Sequence, residues 1–393
     1  MRKICFTVQR YGVEVNGGAE LLTRQLAERM ASDYDVHVFT TKAIDYMTWA
    51  DEYDKDVEVI NGVTVHRFSV AKPRVQDEFD AINGRFLSAG LSQKEEEEWL
   101  KAQGPYVPAL IDAIREGKDD YDVFLFCTYL YYTTVMGIRE VADKAIVLPF
   151  AHNEPFLRMK IYNPVFKSPA AFLFETEEER RLIRSRYNNY RIPFKFGGAG
   201  VDVPEDVSGD RFKAQYGIDD YIIYVGRIDE GKNCGELFDF FTRFKKEHPS
   251  GLKLVLLGKP VIKIPEDKDI VSLGFVSEQD KFDGIAGSKL LVLPSRFESL
   301  SIVVLEAFSL KIPVLVNSEC EVLKGHCDRS GGGFYYKDYE EFEEHLQCLL
   351  DDSDLRKTMG ARGFEYAARS FNWNTIIRKL SALVEYVTGK ENR

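Results

Sequence analysis

A chain of 393 residues is longer than the ~250–300 residues at which a single hydrophobic core stops growing, so two domains are expected. Hydrophobic residues at 45% and charged residues at 29% match an ordinary globular protein and give no sign of a disordered, fibrous or membrane-spanning chain. The formal net charge of −11 argues against nucleic acid as the main partner, since phosphate backbones are bound by clustered Lys and Arg, but a few local cations suffice for a small anion.

Met1-Arg2-Lys3 leads directly into a short apolar run. No apolar stretch reaches the ~18 residues of a spanning helix, which reads as a cytoplasmic protein, at most peripheral at the inner face of a membrane. Strand-like runs at 4–9, 36–41, 63–68, 123–127, 146–151 and 171–175 alternate with helical patterns. In one of these, at 19–30, Leu22, Leu26 and Met30 repeat every fourth residue on one face. The segment 88–117 is helical by pattern, and its glutamate run at 95–98 reads as a solvated face. Strands alternating with helices specify a parallel sheet covered on both sides.

The pattern restarts with strand candidates at 221–226, 252–257, 270–275, 290–294 and 314–317, separated by helical segments at 235–247, 278–286 and 302–310. Three glycines within Phe196-Gly197-Gly198-Ala199-Gly200 supply the freedom of a hinge. The expected domains are therefore 1–199 and 200–370, followed by an amphipathic terminal segment, 371–393. The six cysteines (Cys5, Cys127, Cys234, Cys320, Cys327, Cys348) contain no C-x-x-C pair and read as buried thiols of a reducing compartment. The spacing of Cys320, His326 and Cys327 matches no familiar metal site, so no metal is expected there.

Three stretches carry candidate chemistry. GVEVNGGAE at 12–20 places Gly17 and Gly18 between a strand and a helix, where amides and the helix dipole favour an anion. G-x-G-x-x-G is absent, and a plain tight turn fits that loop equally well. YVGRIDEGKN at 224–233 ends the first strand of the second half with Gly226, Arg227 and Lys232, a pair of cations suited to a diphosphate without a divalent ion. Two solvated surface cations are the plainer alternative. In PSRFESLSIVVLEAF at 294–308, Glu298 precedes a helix and Glu306 lies in its second turn, while the amides of Leu300, Ser301 and Ile302 form the helix N-terminus. A carboxylate accepts two hydroxyl hydrogen bonds at once, the geometry of a sugar diol.

These motifs, with Gly258, Gly274, His152 and Phe371-Asn372-Trp373, resemble glycosyltransferase family 4, the retaining enzymes also grouped as glycosyl transferases group 1, over nearly the whole chain. The resemblance implies an α/β GT-B fold, two Rossmann-like doubly wound domains facing each other across a cleft, with the terminal segment crossing back onto the first. It implies that Arg227 and Lys232 grip the donor diphosphate, that Glu306 holds the ribose and Glu298 the transferred sugar, and that Gly17 and Gly18 cap the phosphates. Gly226 and Gly258 border the donor, the backbone at Phe275 and Val276 meets the base, and His152 lies under the sugar. The implied reaction is metal-independent and cofactor-free hexose transfer from a nucleotide sugar, UDP-glucose as first choice, to a glycan or lipid-linked acceptor in surface polysaccharide or glycolipid synthesis.

The chain departs from the family pattern where Glu298-Ser299-Leu300-Ser301 replaces Glu-x-Phe-Gly and Ala199-Gly200-Val201-Asp202 replaces Asn-Gly-Val-Asp. Ser301 either narrows the approach of the phosphate or adds a hydroxyl donor. The loop from Tyr11 to Asn16, Trp49 and the tyrosines from Tyr129 to Tyr132 are candidates for the acceptor side, although aromatics in such places are as often core. Two other readings use the same residues. An epimerase on this fold is disfavoured by the spaced glutamates, and a non-catalytic sugar-nucleotide sensor by the intact Arg227, Lys232, Glu298 and Glu306.

Overall fold

A computed structural model describes residues 1–15 and 17–391, so Asn16 and the last two residues of the expected terminal segment lie outside the described residues. The chain divides into two compact units, Met1–Gly198 with the chain from Ile376 on, and Ala199–Thr375. The terminal helix, Trp373–Glu391, spans that division.

In the first unit, eight strands among the described residues form one sheet: β1 (Lys3–Thr7), β2 (Asp35–Thr41), β3 (Val57–Ile60), β4 (Val63–Phe68), β5 (Val123–Cys127), β6 (Ala145–Leu148), β7 (Ala171–Phe174) and β8 (Phe194–Phe196). Their order is β3-β4-β2-β1-β5-β6-β7-β8. All neighbours are parallel except β3 with β4. The central strands are buried along their length, as in Val123–Cys127, because helices cover both faces of a parallel sheet. The second unit has six strands among the described residues: β9 (Tyr221–Val225), β10 (Lys253–Leu257), β11 (Ile270–Gly274), β12 (Leu291–Leu293), β13 (Val314–Asn317) and β14 (Gly333–Tyr336). They are all parallel, in the order β11-β10-β9-β12-β13-β14. Each sheet thus reverses its strand order beside its first strand, at β1/β5 and at β9/β12. The crevice outside the carboxyl ends at that point is where open α/β sheets bind ligands.

Three strands were not expected from the sequence: β3, β8 and β14. All lie at sheet edges, where strands are short and their patterns weak. The run expected at 4–9 outlasts β1 because Val8 and Gln9 stay buried after the ladder ends. Residues expected as one helical stretch at 88–117 instead belong to Gln76–Ala89, Gln93–Gln103 and Pro108–Gly117, divided at Gly90 and Gly104, both at positive φ. The glutamates at 95–98 are not all a solvated face. Glu95 closes a capping box with Ser92, and buried Glu96 accepts hydrogen bonds from the amides of Lys160 (3.0 Å) and Ile161 (2.7 Å). Five of the six cysteines are buried; Cys348, on the helix Tyr339–Asp351, is exposed.

Candidate functional site

At the carboxyl edge of the second sheet, Gly226, Gly258 and Gly274 follow or end β9, β10 and β11 with φ of 151°, 145° and 69°. The amide of Gly226 donates to Leu257 (2.9 Å) and that of Gly258 to Gly274 (2.7 Å). A Cβ on Gly258 would stand 1.9 Å from the Gly226 carbonyl oxygen, so only glycine permits this backbone stacking. Beyond it the Arg227 side chain is 52% exposed and donates to the Asp229 carboxylate. Asp229 also accepts the Lys232 amide (2.8 Å), and the Lys232 ammonium lies 2.7 Å from Glu298. One aspartate, not singled out from the sequence, therefore holds the Arg227 guanidinium and the backbone of Lys232. The hydroxyl of Tyr224, donating to the Arg227 carbonyl (2.7 Å), pins the turn that carries them.

Glu298 reaches this edge from the loop after β12, on the other side of the switch point. Ser301 caps the helix Ile302–Ser309 in the left-handed region, φ 65°, a conformation that suits the family's glycine better. Ser301 is 7% exposed, and its buried hydroxyl has no hydrogen-bond partner among the described residues. Fully buried His326 holds the turn. Its Nε2 donates to the Leu300 carbonyl (2.7 Å), leaving Nδ1 to accept from the Tyr366 hydroxyl (3.0 Å). With both nitrogens so engaged, this histidine is a brace for the glutamate loop.

Glu306 lies on the flank of the helix, buried, with the Lys281 ammonium at 2.7 Å. Burial pushes the Glu306 carboxyl above its ordinary range, and the Lys281 charge opposes that rise. Lys281, also 2.9 Å from Glu278, gains more from these two carboxylates than burial takes, so its pKa is raised. Phe275, after β11, is 84% exposed, with Val276 half-buried beside it. The structure thus brings Gly226, Arg227, Lys232, Glu298, Leu300, Ser301, Ile302 and Glu306 to the two strands flanking the switch point, with Gly258 and Phe275 at the next two strand ends.

The first unit places the remaining candidates at its own carboxyl edge. Gly17 precedes the helix Gly18–Met30, and a Cβ there would meet the Glu20 carboxylate at 2.2 Å, whereas Gly18 has open space. Buried Glu20 accepts from Gln9 (2.9 Å) and from Arg10 at Nε (3.0 Å), and Gln9 accepts from Thr128 (2.8 Å). This network joins the ends of β1 and β5 to the helix N-terminus and was invisible in the sequence. His152 follows β6, its side chain 35% exposed and its Nε2 3.5 Å from Glu154, which also accepts from the Tyr129 hydroxyl. The loop carrying His152 hangs on Glu179, whose buried carboxylate accepts the amides of Ala151 (2.7 Å) and Glu175 (2.7 Å). Thr176 caps the helix Glu177–Tyr187, accepting from the Glu179 amide (3.2 Å), while the Glu179 side chain turns to the loop after β6.

Residues 210–366 match the model of the family described as glycosyl transferases group 1. An alpha-D-kanosaminyltransferase of Streptomyces kanamyceticus is 22% identical over 379 residues, 90% of this chain and 95% of that one. An uncharacterized glycosyltransferase of Methanocaldococcus jannaschii is 25% identical over 271 residues, so the match spans 57% of this chain and 65% of the relative's length. The backbone superposes on sucrose-phosphate synthase from Thermosynechococcus elongatus with a TM-score of 0.72 at 15% identity, covering 99% of this chain and 100% of that one. Anabaena HepE in complex with UDP and glucose gives 0.71 at 15% identity over 98% and 100% of the two chains. The fold is GT-B, and with its group 1 domain the chain is a glycosyltransferase. Among the described residues, no helix is long and apolar enough to cross a membrane.

Proposed function

We propose that this glycosyltransferase moves a hexose from a nucleotide sugar, UDP-glucose before others, to a hydroxyl of a glycan or lipid-linked acceptor, with retention of anomeric configuration and without a metal. The observation that carries the reading is the meeting of Lys232, five residues after Arg227, with Glu298 in the loop that leads into the Ile302–Ser309 helix, across the β9/β12 switch point. Arg227, Lys232 and the amides of Leu300, Ser301 and Ile302 offer donors to a diphosphate, and Glu306 offers acceptors to the ribose diol. When the donor enters, Lys232 exchanges Glu298 for a phosphate oxygen, which frees that carboxylate for the hydroxyls of the transferred sugar. His152, Gly17 and Gly18 are assigned to the sugar and phosphates by the family pattern alone.

In the reaction the bond from C1 to the diphosphate oxygen breaks, and the acceptor oxygen bonds to C1 on the same face. Its proton passes to the departing phosphate. No protein nucleophile is required; the fixed charges of Arg227 and Lys232 stabilise the leaving group as it develops. HepE holding UDP and glucose supports the donor class, and the relatives named for undecaprenol-linked and capsular polysaccharide synthesis support the setting. A thermal-shift panel of nucleotide sugars in EDTA tests the reading, because a ligand at ~100 times its dissociation constant adds about 2.7 kcal/mol of stability. UDP-glucose should give the largest shift, unchanged by added manganese. The absence of a shift with every nucleotide sugar, or a shift that requires the metal, refutes it.

A further inference from the structure

Three guanidinium groups gather at the carboxyl edge of the first sheet. Two are neutralised: Arg10 by Glu20, and fully buried Arg67 by Glu58 at 2.6 Å. The third, Arg74, follows β4 and is half-buried, yet among the described residues no carboxylate lies within ion-pair distance of it. Its Nε (3.2 Å) and Nη2 donate to the Gln103 carbonyl, which brings a partial charge against a full one. Nη2 also reaches the Gln103 side-chain oxygen (3.4 Å), Nη1 makes no hydrogen bond among the described residues, and burial lowers the guanidinium's pKa. Asp45 and Asp80 act on it only from beyond contact distance, so a desolvated cation with no carboxylate touching it stands at a ligand-binding edge, a candidate functional group.

The surroundings fix it in place. Trp49, wholly buried, adopts φ 55°, a genuine outlier for a bulky residue, and its indole N–H donates to the same Gln103 carbonyl (2.8 Å). The Arg74 guanidinium carbon lies 5.4 Å from the Trp49 ring and 4.9 Å from Phe79. Tyr131 packs edge-on to Trp49 at 5.5 Å, and its hydroxyl makes no hydrogen bond within the described residues. A strained, fully buried aromatic and a shared carbonyl therefore hold a planar cation with its remaining N–H donors uncommitted.

We propose that Arg74, with the Tyr131 hydroxyl, forms an oxyanion subsite that receives a carboxylate or phosphate carried by the sugar acceptor, so that the natural acceptor is an anionic glycan or glycolipid. The assignment to the acceptor rests on the glycosyltransferase reading above; the oxyanion site itself does not. The test is calorimetric titration of the full chain with glucose 6-phosphate, glucuronate, uncharged glucose and UDP-glucose, in the wild type, Arg74→Met and Arg74→Lys.

At least one charged sugar should bind the wild type roughly tenfold or more tighter than glucose, and Arg74→Met should abolish that preference. Arg74→Lys should retain a weakened site, because a point charge replaces the planar fork. UDP-glucose affinity should not change in either variant. Whichever of phosphate or carboxylate binds more tightly names the source of the anion. If neither charged sugar is preferred over glucose, or if the preference survives in both variants, the subsite does not exist. Should Arg74→Met fail to melt cooperatively, Arg74→Lys decides alone. Arg74-dependent binding of a charged sugar without any binding of UDP-glucose would leave the subsite standing and remove the donor reading.

Discussion

At the carboxyl edge of the second sheet, β9, β10 and β11 run into glycines at positive φ, Gly226, Gly258 and Gly274, while Asn233 and Ser301 take positive φ in the loops beyond β9 and β12. At the corresponding edge of the first sheet, positive φ falls on Trp49, Thr128 and Phe150, beyond the ends of β2, β5 and β6. The same parallel architecture is thus finished in two ways. Glycine costs nothing in this backbone region and leaves the main chain bare, which suits a polyanion approaching amides and a helix end. Side-chain-bearing residues there cost ~1–3 kcal/mol each and persist only where the surroundings over-determine them. The surroundings here are Gln9 bonded to Thr128, Glu179 bonded to Ala151, and Gln103 bonded to Trp49. The first edge leans on locked side chains, whereas the ends of β9, β10 and β11 on the second are bare backbone.

The contrast can be broken most severely at Gly258. Gly258→Ala puts a Cβ 1.9 Å from the Gly226 oxygen at φ 145°, so it should cost about 2–5 kcal/mol in denaturant unfolding of the purified chain. A loss under about 0.5 kcal/mol would mean that the glycine edge is not sterically required.

Next in size is Lys232→Ala, which removes a cation from the diphosphate and leaves Glu298 unpaired. Steady-state transfer should fall roughly 100-fold or more with the melting transition retained, as for loss of one transition-state donor. Unchanged turnover would return Lys232 to a surface cation.

The two glutamates should then separate. Glu306→Gln should weaken free nucleoside diphosphate and intact donor alike, while Glu298→Gln should leave diphosphate affinity nearly intact and slow transfer. Each change is roughly 10- to 100-fold, from about 1.5–3 kcal/mol per hydrogen bond to a charged group. Equal losses of diphosphate affinity in titrations of both variants would end this division of labour.

A smaller effect concerns pH. Burial raises the Glu306 carboxyl, and the charged groups facing it are Lys281 and Glu278. Ribose binding needs the carboxylate, so nucleotide affinity should fall as pH drops through that raised pKa. Lys281→Met removes the opposing charge and should move the fall to higher pH. On stability the sign is opposite: a carboxyl raised in the folded state favours folding at low pH and costs stability as pH rises, so acid weakens binding without unfolding the chain through this group. Superimposable affinity profiles for the two proteins would refute the role of Lys281.

The smallest change is expected at Thr128→Gly. It relieves left-handed strain while losing the 2.8 Å bond to Gln9, terms of about 1 kcal/mol each with opposite sign. A large destabilisation there would show that the strain account of the first edge is wrong.

Both sheets and the second edge were legible in the sequence because their signals are local. Apolar runs mark the buried strands, and Glu298 and Glu306 share one strand-to-helix stretch. What was not legible is assembled across distance. Lys281 meets Glu306 from 25 residues away, Thr128 meets Gln9 from 119, and His326 reaches Leu300 from 26. No spacing rule announces such pairs, since packing of separate elements creates them. The edge strands β3, β8 and β14 escaped for the complementary reason that their short runs bury too little to leave a period.

The burial of the thiols has a practical consequence. Desolvation pushes Cys127 up to about 12 and Cys320 up to about 11, and it raises Cys5, Cys234 and Cys327 as well, which keeps all five as unreactive thiols at neutral pH. Cys348 stands in solvent on the helix Tyr339–Asp351, in the unit Ala199–Thr375. The unaltered polypeptide therefore carries its own attachment point: a maleimide dye should couple with one-to-one stoichiometry, giving a fluorescent reporter on that unit without a single introduced mutation.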